Sequence, residues 1–289
     1  MKYAFIAAER PHHPLSRLCR VMGVSRSGFH AWRIVGEREP GSRTARREEV
    51  DRHVREAFEA RRARYGAPRL CRLLRRAGHS YNRKTVAASL RRQGLRARAA
   101  RRFRATTNSA HTLPIAPDLL GQDFSAEAPN ERWVQDITYL WSEQGWSYLA
   151  IVLDLYSRRV VGWSLGPRMS AALTCEALEM ALSSRGRPRA VIVHSDRGSQ
   201  YCTNAFRALV TRAGLVQSMS RKGCCYDNAC AESFFHTLKV EAIHGERIGT
   251  RDQLQGRVFE FIELDYNRER LHSTLGYVSP SEFEHGIVA

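Results

Sequence analysis

From residue 132 the sequence changes its periodicity, and that change constrains the fold more than any other feature. Three β-branched, aromatic and apolar runs follow one another: Trp133 to Trp141, Trp146 to Leu155, and Arg159 to Leu165 after a turn at Ser157 and Arg158. Consecutive strands with short connections make an antiparallel meander. A helical period then takes over in Ser170 to Ser184, through Leu173, Ala177, Leu178 and Ala181. Ala190 to Val193 reads as a fourth strand that ends at His194, Ser195 and Asp196. Thr203 can cap a helix through Phe206, Leu209 and Val210 that Gly214 ends, and a short strand follows near Gln217. Asp227 or Asn228 starts a long helix that holds Glu232. Alternating strands and helices of this kind predict an α/β domain.

The first hundred residues follow a different grammar. Leu15, Leu18, Val21 and Met22 share one helical face, Gly23 ends it, and Ser25 or Ser27 can cap a second short helix with Phe29 and Trp32. In a helix-turn-helix the second helix enters the major groove by its N-terminus, which here presents Ser25, Arg26 and Ser27. A plain packing hairpin is the alternative. A second module begins near Thr44 with Val50, Val54 and Phe58, continues from Pro68 through Leu70, Leu73 and Leu74 to Gly78, and closes with a helix capped by Asn82. That last helix buries Val86, Ala87 and Leu90, ends at Gly94, and exposes Arg83, Lys84, Arg91 and Arg92. Leu95, Ala97 and Ala99 alternate with arginines as a wing strand does. The expected divisions are 1–40 and 44–104 for the two modules, a Pro-, Ala- and Ser-rich linker over 105–128, and the α/β domain over 129–286.

Charge follows the same division. Residues 1 to 104 hold 28 basic and 8 acidic side chains, whereas the remaining 185 hold 18 and 21. A basic module ahead of a nearly neutral one is the footprint of a polyanion binder, against the alternative of an arginine-biased solvated surface. The 289 residues are ample for two domains, and 43% hydrophobic content excludes a mostly disordered chain. Seven cysteines without a CxxC pair argue against a disulfide framework or a zinc knuckle. No apolar run approaches membrane-spanning length, and Glu9 and Arg10 interrupt any signal-peptide reading. These features predict a cytoplasmic, nucleoid-associated protein with no membrane partner.

Three acids stand out by context. Asp136 lies between Val134 and Ile137 in a strand otherwise short of charge, Asp196 follows an apolar strand in the run HSDRGSQY, and Glu232 sits on a helix. Phosphoryl transfer on DNA uses two divalent cations about 3.5–4 Å apart, and such hard ions take carboxylate oxygens. His236 and Lys239 fall four and seven residues after Glu232, on its helical face, where the lysine can grip a phosphate. Asp154 is the competing acid and reads as a strand-end residue hydrogen-bonded to backbone.

The stretches ERWVQDITYL, YLAIVLDLYSRRVVGW, HSDRGSQY, SRKGCCYDNACAESFFHTLK and YNRERLHSTLGYVSPSEF resemble the IS3 family of bacterial insertion-sequence transposases, in particular their OrfB product, and retroviral integrases more distantly. The runs CRVMGVSRSGFHAW and YGAPRLCRLLRRAG extend the resemblance to the N-terminal half. The family pattern of two aspartates, a glutamate separated from the second by 35 intervening residues, and a basic residue seven positions further on is met by Asp136, Asp196, Glu232 and Lys239. The resemblance implies a ribonuclease H-like core, a five-stranded mixed sheet flanked by helices, with those three acids binding two Mg²⁺ ions for which Mn²⁺ can substitute. It implies hydrolysis at a transposon end to free a 3′-hydroxyl, then attack of that hydroxyl on a second phosphodiester. His194, Arg197, Ser220, Arg221 and Asn228 would line the site or contact DNA. Implied partners are the terminal repeats, target DNA, further copies of the chain, and the OrfA product of an upstream reading frame. The alternatives are a non-catalytic regulator of transposition, a ribonuclease H-type nuclease, and a catalytic half that works only when fused to that upstream frame.

Overall fold

The computed structural model describes residues 1–37, 42–98, 114–221 and 228–286. The chain forms two compact units, Met1–Arg96 and Ala97–Ala289.

The first unit is helical throughout its described residues: α1 (Lys2–Glu9), α2 (Leu15–Met22), α3 (Arg26–Glu37), α4 (Ser42–Ala60), α5 (Ala67–Arg76) and α6 (Arg83–Arg92). Helix α2 stops because Gly23 takes the left-handed conformation (φ 62°). Ser25 Oγ then accepts the Gly28 N–H at 3.0 Å, which opens α3 after a three-residue turn. Helix α1 has no counterpart in the sequence reading. It lacks a side-chain cap and buries only Ile6, so its signal is tertiary. The Tyr3 ring stacks 5.9 Å from Trp32, and a side chain at Gly28 would put Cβ 2.4 Å from the Tyr3 hydroxyl.

Helices α4 to α6 bury Val50, Val54, Phe58, Leu70, Leu74, Val86 and Leu90. Asn82 Oδ1 accepts the Thr85 N–H at 2.8 Å, a cap worth about 1 kcal/mol. Asp51 on α4 accepts from Ser89 Oγ at 2.5 Å and pairs with Arg92, which ties α6 to α4. Arg92 is exposed as expected, and its guanidinium is held in that ion pair. The expected wing is not formed over residues 95–98, which belong to no strand, and Ala99 lies outside the described residues.

The second unit is built on a five-stranded sheet in the order β3-β2-β1-β4-β5. Its strands are β1 (Arg132–Ser142), β2 (Gly145–Asp154), β3 (Val160–Gly166), β4 (Ile192–Ser195) and β5 (Val216–Met219). The first three form the expected antiparallel meander, and β4 and β5 join in parallel. Strand β4 begins two residues later than the apolar pattern suggests. Ala190 has φ 59°, and its N–H is drawn to the Gly214 carbonyl at 2.7 Å. Helices α7 (Ala171–Ser184) and α8 (Asn204–Arg212) cover one face around Trp133, Val152, Leu178, Val193 and Phe206. Gly162 allows α7 to lie directly on β3, because a Cβ there would stand 2.2 Å from the Ala177 carbonyl oxygen. The other face packs Val134, Leu140, Leu149, Ile151 and Leu153 against α9 (Ala229–Leu238) and α10 (Arg251–Phe259). The helix expected to be long is interrupted: α9 gives way to a π-helical turn over Lys239–Ile243.

Part of the stretch expected as a linker packs on the second unit. Residues 99–113 lie outside the described region, but Leu120 is buried in the second core and the Leu119 N–H donates to Ser218 Oγ at 2.9 Å. Arg98 pairs with Glu246 at 2.9 Å, so the chain joins the second unit before that stretch begins. Asp154 has the structural role read from its position. It is wholly buried, accepts the N–H groups of Asn130 (2.9 Å) and Tyr156 (3.0 Å), and meets Arg185, which also pairs with Glu284 of α11 (Pro280–Glu284). Among the described residues no helix is long and apolar enough to cross a membrane.

Candidate active site

Parallel pairing of β1 with β4 sets the geometry of the acids. The pairing ends with Val134 opposite His194, and Asp196, one residue past the end of β4, bears by its charge on Asp136, two residues further along β1. Helix α9 packs on that face through Ala231, Phe234 and Phe235, and carries Glu232 in its first turn. The Asn228 side chain, just ahead of α9, donates from Nδ2 to the backbone carbonyl of Gln135 at 3.2 Å. The residue before Asp136 is thereby tied to the helix that carries Glu232.

Electrostatics couple the three carboxyl groups. Burial raises the pKa of Asp136 well above the ordinary aspartate value, and the charges of Asp196 and then Glu232 raise it further. The Ile137 N–H, donating to Asp136 Oδ1 at 2.7 Å, and the Lys239 charge oppose that rise. Burial also raises Glu232. Asp196 Oδ1 accepts the Gly198 N–H at 2.9 Å, which fixes the turn after β4. Lys239 is buried with Nζ 4.7 Å from the Tyr139 ring centroid. Burial lowers its pKa to about 8, against the pull of Asp136.

The remaining expected residues are distributed more widely. His194 is fully buried, and its Nδ1 shares a 2.9 Å hydrogen bond with Ser218 Oγ. Arg197 Nε donates to the Ser220 carbonyl at 2.8 Å, and exposed Arg221 pairs with Asp118 at 3.1 Å. His236 is exposed on the last turn of α9. Arg26, Arg83 and Lys84 are exposed at the N-terminal ends of α3 and α6, where a groove-reading helix presents side chains. Two residues near the acids escaped the sequence reading. Tyr201, at the end of HSDRGSQY, is buried in the field of Asp136 and Asp196, which adds to burial in raising its pKa. Tyr139 lies under Lys239, and its only sequence signal is its place three residues after Asp136.

Among the described residues no three His, Cys, Asp or Glu side chains stand close enough to form a ready metal cage. The donor chemistry nevertheless suits a hard divalent cation. Three carboxyl groups are coupled there, two of them with raised pKa values, and the Lys239 charge opposes the rise at Asp136.

The integrase core domain family matches residues 126–225 and again 232–286, and an HTH-like domain family matches residues 45–103. Transposase InsF for insertion sequence IS3A of Escherichia coli K12 is 52% identical over 289 residues, covering all of both chains. An uncharacterized 31 kDa protein of insertion element IS600 from Shigella sonnei is 44% identical over 266 residues, 92% of this chain and 97% of that one. Among solved structures, a simian T-cell lymphotropic virus intasome with PP2A regulatory subunit B56 gamma aligns at a TM-score of 0.46 and 18% identity, over 62% of this chain and 60% of that one. The HTLV-2 integrase catalytic core domain with magnesium aligns at a TM-score of 0.43 and 15% identity, over 56% of this chain and all of that one. With an integrase core domain behind an HTH-like domain, and with 52% identity to InsF over the full length of both chains, the chain belongs to the IS3 family of insertion-sequence transposases, DNA-binding polynucleotidyl transferases that act in DNA transposition.

Proposed function

We propose that this chain binds the terminal repeats of its own element and carries out both chemical steps there, hydrolysis that frees a 3′-hydroxyl and joining of that hydroxyl to target DNA. The observation that supports the reading is that the charges of Asp196, just past β4, and of Glu232, on α9, both bear on Asp136 in β1. Asp136, Asp196 and Glu232 would hold two Mg²⁺ ions, or Mn²⁺ in their place. Bound there, the ions supply activation of the attacking oxygen and stabilisation of the leaving oxygen.

The protein's own groups hold and orient the DNA. Lys239, held on Tyr139 beside Asp136, grips a phosphate next to the scissile bond. Arg26, Arg83 and Lys84 engage the terminal repeat from exposed helix starts, and Arg197 and Arg221 contact DNA nearer the acids. His194, Asn228 and His236 act as supporting residues around the site. Both reactions are in-line substitutions at phosphorus, so one site serves both and no covalent protein–DNA intermediate forms. Two element ends must meet, which calls for a homo-oligomer on DNA, and the product of an upstream OrfA frame is a further partner.

The test is incubation of the purified chain with Mg²⁺ and a labelled duplex bearing the element's end, with Glu232→Gln as control. End-cleaved and joined products, absent from the control, are expected. End binding without either product, in this chain and in its fusion to the upstream frame, would make the protein a regulator instead.

A further inference from the structure

The β1–β2 hairpin carries aromatic side chains for which the carboxylate site has no use. Trp141 and Trp146 stand directly opposite each other across the hairpin, with ring centroids 5.0 Å apart and planes at 69°. They are 53% and 48% exposed, a large apolar area for two adjacent indoles to leave in water. Tyr139, two residues before Trp141 and so on the same strand face, meets Trp146 edge-on at 5.1 Å and 83°. The same tyrosine ring carries Lys239 Nζ, whose charge bears on Asp136. The aromatic strip therefore runs from Tyr139, beneath Lys239, to the hairpin turn. At that turn the Arg251 side chain donates to the Gln144 carbonyl at 3.1 Å.

We propose that Trp141 and Trp146 form a stacking platform for an unpaired base of the DNA end handled by the carboxylates; this rests on the reading given under Proposed function. Three observations favour a base over a second protein surface. The rings are steeply inclined to one another, so they offer separate ring faces rather than one flat apolar patch. Cations stand at both ends of the strip, Lys239 at the inner end and Arg251 at the turn, matching the phosphates on either side of a stacked base. Residues 105 to 289 hold 18 basic against 21 acidic side chains, so grip on DNA in this unit depends on local contacts, and stacking is the one that needs no charge. A base held out of the duplex loosens the strand end, which lets the adjoining phosphodiester reach the acids.

The test compares the full-length chain with Trp141→Ala/Trp146→Ala and Trp146→Phe on two duplexes that share the terminal repeat. One duplex is fully paired and the other carries mismatches at its last pairs. The wild-type chain is expected to bind the frayed duplex roughly ten-fold more tightly than the paired one. Trp146→Phe retains most of that preference, and the double alanine variant loses it while keeping its affinity for the paired duplex. Equal wild-type affinity for the two duplexes would overturn the proposal. So would a double variant that keeps the preference, or one whose principal defect is lost self-association in sedimentation without DNA, which would assign the surface to a second copy of the chain. Joined product is scored separately on the wild-type chain. A binding preference without product contradicts the functional reading alone, and product without a preference contradicts the platform alone.

Discussion

At the scale of single residues the acids conflict with the fold that holds them. Asp136 is placed where burial and two neighbouring carboxylates oppose its ionisation, so its folded pKa is raised. A raised folded pKa means that the native state binds more protons than the unfolded state across the interval above the ordinary aspartate value near 4. The corresponding stability is fully present below that value and is lost as pH rises through the raised one. Asp136→Asn removes the conflict, so the metal-free variant should melt higher than wild type at pH 7, by about 2–4 °C for each kcal/mol relieved, while chemistry is abolished. The same calorimetric scans, repeated with Mg²⁺, should raise the wild-type midpoint and leave that of the variant nearly unmoved. A lower midpoint for the metal-free variant would show that the carboxylate is structural. Asp154, wholly buried and bonded to two backbone N–H groups, shows what a structural acid in this sheet looks like.

At the scale of elements, close approach of α7 to β3 is what brings the first helix down on the sheet. Gly162→Ala would drive a methyl group into the Ala177 carbonyl and the Ala181 backbone. It should cost about 1–3 kcal/mol or more in urea unfolding of the catalytic unit, with an unchanged midpoint arguing against the packing described. Elements marked by caps and stops were legible in the sequence: Gly23, Asn82 and Thr203 act where their chemistry predicts. The three-strand meander was legible because three apolar runs joined by short turns leave few other pairings. What local pattern missed depended on contacts distant in sequence. Helix α1 is held through Ile6 and by Tyr3 against Trp32, α9 turns π-helical at Lys239, and residues 114–128 pack on the sheet through Leu120. The site follows the same rule. The three acids were singled out by their context and by the family pattern, and the coupling of Asp136 to Asp196 and Glu232 is in keeping with that choice. Tyr139 and Tyr201 were not, since only the folded chain shows them beside Lys239 and the aspartates.

At the scale of the whole molecule the charge is divided between two jobs. The basic first third supplies long-range attraction to DNA, and the nearly neutral remainder supplies chemistry. Lys84, exposed at the start of α6, should contribute one phosphate contact. Lys84→Ala is expected to weaken binding to all sequences similarly and to reduce the slope of log K against log salt by about one unit. An unaltered slope would turn α6 away from the backbone of the DNA.

In the proposed function, side chains from β1, the residue after β4 and α9 ligate the ions that make the site active. Asp136→Cys, assayed for joining of a labelled 3′-end in Mg²⁺ and then in Mn²⁺, tests it most directly, because a thiolate is a poor ligand for Mg²⁺ and a better one for Mn²⁺. The account predicts no joined product in Mg²⁺ and recovered product in Mn²⁺, with end binding intact in both. Full joining in Mg²⁺, or a variant that binds ends yet stays inactive in either ion, would contradict it.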